Sequence, residues 1–229
     1  NGVVKDVCEI FKSTPTNAVQ PIHMVAIEAL STLSCPVYGD FYSFPWKRGP
    51  HDNILEYTEA SLVYEKLRLS IFTCIKDFDF VGKAIAIFLK EDESKHVEVK
   101  CSILRFFIQL LRSFDNQPNG ASSSKVEGVL DIFLSNPSLK QVLTQAAFSS
   151  KDAVIQAAAI QVLTLILRQV IDDQNLDQNV MVLDIQKVYL LFEKSSKTEP
   201  FISIMCCALM SEMLRQDQQQ AAFILQKFS

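Results

Sequence analysis

"KDAVIQAAAIQVLTLILRQVI", residues 151–171, is the stretch on which the fold turns. It opens on a polar turn, then runs apolar at helical spacing, and it is the most apolar helix the chain offers. Three small residues, Ala157, Ala158 and Ala159, sit near its middle, where they would let a neighbouring helix approach closely. Upstream, "KVEGVLDIFLSN" (125–136) and "PSLKQVLTQAAF" (137–148) read as a helical hairpin, with Pro137 suited to the first turn of the second helix. Downstream, "DQNVMVLDIQKVYLLFEKS" (177–195) and "EPFISIMCCALMSEMLRQ" (199–216) each read as a further helix, and "DQQQAAFILQKFS" (217–229) as a short amphipathic one.

The N-terminal half has the same period. Val4, Val7, Cys8 and Phe11 form a stripe that ends near Thr14-Pro15. "NAVQPIHMVAIEALSTLS" (17–34) follows, with Val25, Ala29, Leu30 and Leu33 expected on one side. "NILEYTEASLVYEKLRLSIFTCIKDF" (53–78) reads as a long helix from an Asp52 or Asn53 cap. "DFVGKAIAIFLK" (79–90) and "HVEVKCSILRFFIQLLRSF" (96–114) are two more, joined by the polar turn "EDESKH". An insertion loop is expected over 36–53 and a flexible loop over 115–125, "DNQPNGASSSK".

Composition supports an all-α chain. Of 229 residues, 48% are hydrophobic and 21% charged, enough apolar matter for a folded core, and the six glycines and absent strand alternation disfavour sheet. Four helices share one texture: "PIHMVAIEALSTL", "VEVKCSILRFFIQLL", "KDAVIQAAAIQVLTLIL" and "PFISIMCCALMSEML". Each begins at a polar or proline-marked turn and carries small residues near its middle (Ala26 and Ala29; Cys101 and Ser102; Ala157 to Ala159; Cys207 and Ala208). That pattern suits the inner layer of stacked hairpins.

In these phrases, above all "KDAVIQAAAIQVLTLIL" with its Asp ahead of a Val, Ala and Ile/Leu ladder, the chain resembles the armadillo/HEAT class of α-solenoids. Taking Ile27, Leu104, Ile160 and Leu209 as centres gives spacings of 77, 56 and 49 residues. The family period is about 40–47, so the repeats would be degenerate and carry insertions. The resemblance implies a right-handed α-solenoid of stacked helical hairpins over 1–229, in one helical-repeat domain. The alternative is a compact helical bundle without a repeat. Neither end shows a polar capping unit, and the apolar stripe Ala222, Phe223, Leu225 and Phe228 could meet a further repeat, so a segment of a larger protein is expected.

Signals of chemistry are sparse. There is no GxGxxG, P-loop or GxSxG motif. His23, His51 and His96 are scattered and read as surface or capping residues rather than ligands. The carboxylate runs Glu91-Asp92-Glu93 and Asp172-Asp173 stand at helix ends and read as solvated turns. Cys8, Cys35, Cys74, Cys101, Cys206 and Cys207 contain no CxxC pair and lie mostly in apolar helical runs, as reduced thiols of a cytoplasmic or nuclear protein would. The expectation is therefore no enzyme, no cofactor and no metal.

A net charge of −4 disfavours nucleic acid as a direct ligand. No uninterrupted apolar run of about 18 residues predicts a membrane span. The expected function is a scaffold or adaptor inside a larger intracellular complex, receiving a peptide or helix of a partner protein. The alternative is a nucleic-acid-associated solenoid or an enzyme's regulatory subunit. The candidate partner-binding residues are Phe41, Phe44, Trp46, Lys47 and Arg48, in the aromatic stretch "CPVYGDFYSFPWKRGP" (35–50). The motive is that stretch's Trp, Tyr and Phe content, since aromatic residues are enriched at interface hot spots. The same rings could equally fold back to plug a gap between hairpins.

Overall fold

A computed structural model describes residues 2–15, 21–34, 70–90, 97–115, 129–173, 176–217 and 226–227. All regular structure among the described residues is helical. The helices are α1 (Gly2–Ser13), α2 (Pro21–Ser34), α3 (helical residues 70–77), α4 (Phe80–Lys90), α5 (Val97–Asp115), α6 (Val129–Leu134), α7 (Pro137–Ser149), α8 (Ala153–Asp172), α9 (Ile185–Ser195) and α10 (Pro200–Gln216). A 3-10 turn, Gln178–Met181, precedes α9.

Local chemistry sets several helix starts. Asn136 accepts from the Ser138 N–H at 3.1 Å and Pro137 fills the first turn of α7. Asp152 accepts from the N–H groups of Val154 and Ile155 at 2.9 and 3.0 Å, satisfying two donors that the first turn of α8 leaves without helical partners. Asp184 does the same for Gln186 at 3.0 Å.

Two rows of helices follow from the packing. In one, α2 packs on α5, α5 on α8 and α8 on α10. In the other, α1 meets α4, α4 meets α7 and α7 meets α9. Cross-row contacts join α1 to α2, α4 to α5, α7 to α8 and α9 to α10, and the short α6 rests against α5, α7 and α8. The helices with the shared texture are the members of the first row.

One continuous apolar core runs through both rows. Its N-terminal part is aromatic: Phe11 stacks on Phe80 with centroids 3.9 Å apart, Phe80 meets Phe106 at 5.2 Å, and Phe107 meets Phe133 edge-on at 5.0 Å. Phe80 and Phe88 of α4, Phe106 and Phe107 of α5 and Phe133 of α6 are all buried. α8 is 20 residues long and apolar enough by composition to cross a bilayer, with a mean hydropathy of 1.8 over its most apolar 18 residues. Here it is an interior helix enclosed by α5, α7 and α10, with Gln169 donating to the Leu111 carbonyl of α5 at 2.8 Å.

Several expectations need correction. The buried side of α2 is His23, Ala26, Ile27 and Leu30, while Val25 is exposed, because α1 and α5 both claim the helix and shift its apolar face. His23 is fully buried against Phe11 in an edge-on contact of 5.6 Å, so it is a core residue and not a surface or capping one. The helix expected over 177–195 begins only at Ile185, since Asp184 caps it and divides it from the 3-10 turn. Cys207 and Ala208 face outward; α10 is seated through Ile202, Cys206, Leu209, Met210 and Met213 instead. Asp115 is the last residue of α5, and the rest of the loop expected over 115–125 lies outside the described residues. So do the insertion loop 36–53, the first part of the 53–78 helix, His51, His96 and most of the terminal stretch.

Candidate functional site

The residues singled out for partner binding, Phe41, Phe44, Trp46, Lys47 and Arg48, fall outside the described residues. A different surface has the attributes of a site. It is a groove of about 1200 Å³ between α7 and α9, closed at one end by the start of α8.

The helical period builds it. On α7, Leu139, Val142, Leu143, Ala146 and Ala147 are buried, which leaves Lys140, Gln141, Thr144, Gln145 and Phe148 on the groove wall. On α9, Ile185, Val188 and Leu191 seat the helix, while Lys187, Leu190 and Lys194 line the groove at intervals of three and four residues. Lys151, Ala153 and Gln156 close the α8 end, and Thr198, Glu199 and Ile202 complete the wall beyond α9. Beneath, Ser195 Oγ donates to the Leu191 carbonyl at 2.7 Å and lies 3.1 Å from Ser203 Oγ, which fixes α9 to α10.

Two properties mark the groove out. Its lining carries four lysines, Lys140, Lys151, Lys187 and Lys194, against one carboxylate, Glu199, on a chain whose net charge is −4. Among the described residues, none of Lys140, Lys187 and Lys194 makes an ion pair. Leu190 projects with 61% of its surface exposed, beside half-buried Phe148 and the buried side chains of Leu191 and Ile202. The groove thus sets apolar side chains within a polar, cationic rim.

A smaller cavity of about 250 Å³ lies on the other side of the α7 C-terminus and shares Gln145, Ser149 and Ser150 with the groove. Its wall includes Lys100, buried on α5 with Nζ 5.1 Å from the Phe88 ring centroid.

The other polar features are structural. Asp172 is exposed at the end of α8, as its setting predicts, and it also accepts from Arg215 Nη2 at 2.7 Å. Arg215 Nη1 also reaches Glu212, and Glu212 takes Arg168 Nε at 2.9 Å, which links α8 to α10. Burial pushes the Cys8 thiol up to about 12, with Cys74 beside it adding to the rise, and burial drives Cys206 to about 12. Burial thus favours the protonated thiol of both at neutral pH. Among the described residues, no three His, Cys, Asp or Glu side chains gather where they could hold a metal ion.

Lys140 and Lys187 are brought to one groove only by the packing of α7 on α9, which no local motif announces. The lysines of α9 two turns apart, flanking two leucines, are the one trace of it in the sequence. No family model matches this chain, nor does any curated protein or solved structure.

Proposed function

We propose that the chain is a non-catalytic interaction scaffold that holds a peptide or helix of a partner protein in the α7–α9 groove. The observation that carries this reading is the exposed Leu190 set among lysines and amides in a groove lined from Pro137 to Ser149 of α7 and from Lys187 to Lys194 of α9. The two-row packing supports the accompanying fold proposal, a right-handed α-solenoid of armadillo/HEAT type with degenerate repeats. In such a stack each hairpin leans mainly on its neighbours and side-chain rows remain open to partners.

A displayed library of helix-biased peptides, panned against the folded chain, tests the reading. It should enrich a sequence family on the native protein and lose that family on Leu190→Asp, a change at a mostly exposed position that should leave the melt intact. No enrichment, or enrichment indifferent to Leu190→Asp, overturns it.

A further inference from the structure

We infer that the occupant of the α7–α9 groove is an acidic amphipathic helix, with a short apolar stripe flanked by Asp or Glu; this rests on the groove being a protein-binding site. Cations stand on both walls, Lys140 on α7 and Lys187 and Lys194 on α9, with Lys151 at the closed end. Apolar Leu190 lies between the two lysines of α9. Lys187 and Lys194 are seven residues apart, about 10 Å along the helix axis. A guest helix with carboxylates at the same interval would meet both at once while setting its apolar side chains on Leu190.

The charge does more to select than to bind. Each exposed pair contributes little alone, but a basic guest would place like charges against both walls and the α8 end, and rejection of that kind is how charged rims discriminate. Nucleic acid fits less well. The groove's one aromatic, Phe148, is half-buried, its most exposed apolar side chain is Leu190, and its cations are lysines with no arginine fork among them.

Sequencing the pool enriched by the same library tests the inference. The native protein should select peptides with net negative charge and Leu, Ile or Phe at intervals of three and four. The triple variant Lys140→Gln/Lys187→Gln/Lys194→Gln, checked for an unchanged melt, should lose that acidic bias. In fluorescence anisotropy a selected peptide should bind about tenfold more weakly once its Asp and Glu are replaced by Asn and Gln, and added salt should remove most of the difference. A neutral or basic pool that still vanishes with Leu190→Asp overturns the acidic guest and leaves the groove reading standing. No enriched pool, together with lysine-dependent binding of a single-stranded thymidine oligonucleotide, overturns both and assigns the lysines to phosphate. No binding of either probe also overturns both.

Discussion

The Arg168 guanidinium of α8 donates through Nε to the Glu212 carboxylate of α10 at 2.9 Å, and Glu212 is almost wholly enclosed, with 8% of its side chain exposed. A second cation, Arg215, shares that carboxylate and passes the connection back to Asp172 on α8. Glu212 is thus the hub of a charged tie between neighbouring helices of one row. Replacing it with Ala takes a shared carboxylate from Arg168 and Arg215, although Arg215 keeps its contact with Asp172. Both arginines reach solvent, so the cost should be about 1–3 kcal/mol rather than that of a fully enclosed pair. Urea denaturation of Glu212→Ala, Arg168→Ala and the double variant should give a coupling between the two sites. Strictly additive losses would show that the contact carries no energy of its own.

His23 should make the fold sensitive to mild acid. Burial lowers its pKa below the usual 6.5, nearby Lys83 lowers it further, and a hydrogen bond with the Thr14 backbone opposes them. The unfolded chain therefore binds the proton more readily than the folded one. Stability from this group is complete above about pH 7 and falls as pH drops through 6.5. Melting temperature should decline from about pH 7.5 to 5, and His23→Gln should flatten that part of the profile. An unchanged slope in the variant would assign the acid sensitivity elsewhere.

Cys206 and Cys207 are neighbours in sequence with opposite fates. Cys206 is buried with its thiol pushed to about 12, while Cys207 faces solvent. An aromatic disulfide reagent at neutral pH should label Cys207 quickly in the native state and reach Cys206 only on unfolding. Cys207→Ser should remove a fast phase that Cys206→Ser retains. Equal native rates would mean that α10 is rotated from the orientation described.

Asp152 should govern the start of α8. It satisfies two first-turn N–H groups, and Asp152→Ala should cost about 1 kcal/mol, with Asp152→Asn or Asp152→Ser retaining most of the stability. If Asn and Ser fare no better than Ala, the side-chain oxygen is not what matters there.

Phe11 should be the costliest single truncation in the N-terminal half. It is 1% exposed, stacked on Phe80 and edge-on to His23, so Phe11→Ala should lose about 3–5 kcal/mol. Phe11→Leu should recover part of that by refilling volume without the ring contacts. A loss below about 1 kcal/mol would show that α1 is not anchored through this residue.

Much of the helical content was legible because burial repeats along one helix. The stripe Val4, Cys8 and Phe11, the start at Pro137 and the extent of α8 all follow from period and local caps. What escaped the sequence was set by neighbours. Val25 and His23 exchange their expected roles because α2 is gripped by α1 and α5 together, and one helix's own pattern cannot say which of two apolar faces a second neighbour will take. Asp172 finds its cation 43 positions away. The groove joins Lys140 to Lys187 in the same manner, so its charge was diluted in a total that reads acidic.

The ring contacts from Phe11 to Phe133 and the charged tie at Glu212 hold different parts of the chain by different forces. Stacked hydrocarbon carries no charge for dissolved ions to screen, and salt at most tightens it, whereas half-exposed guanidinium contacts weaken as counter-ions crowd them. Ionic strength should therefore act as a dial on one part alone. As salt rises, amides near the seam between α8 and α10 should exchange faster, while those around α1 and α4 keep their pace.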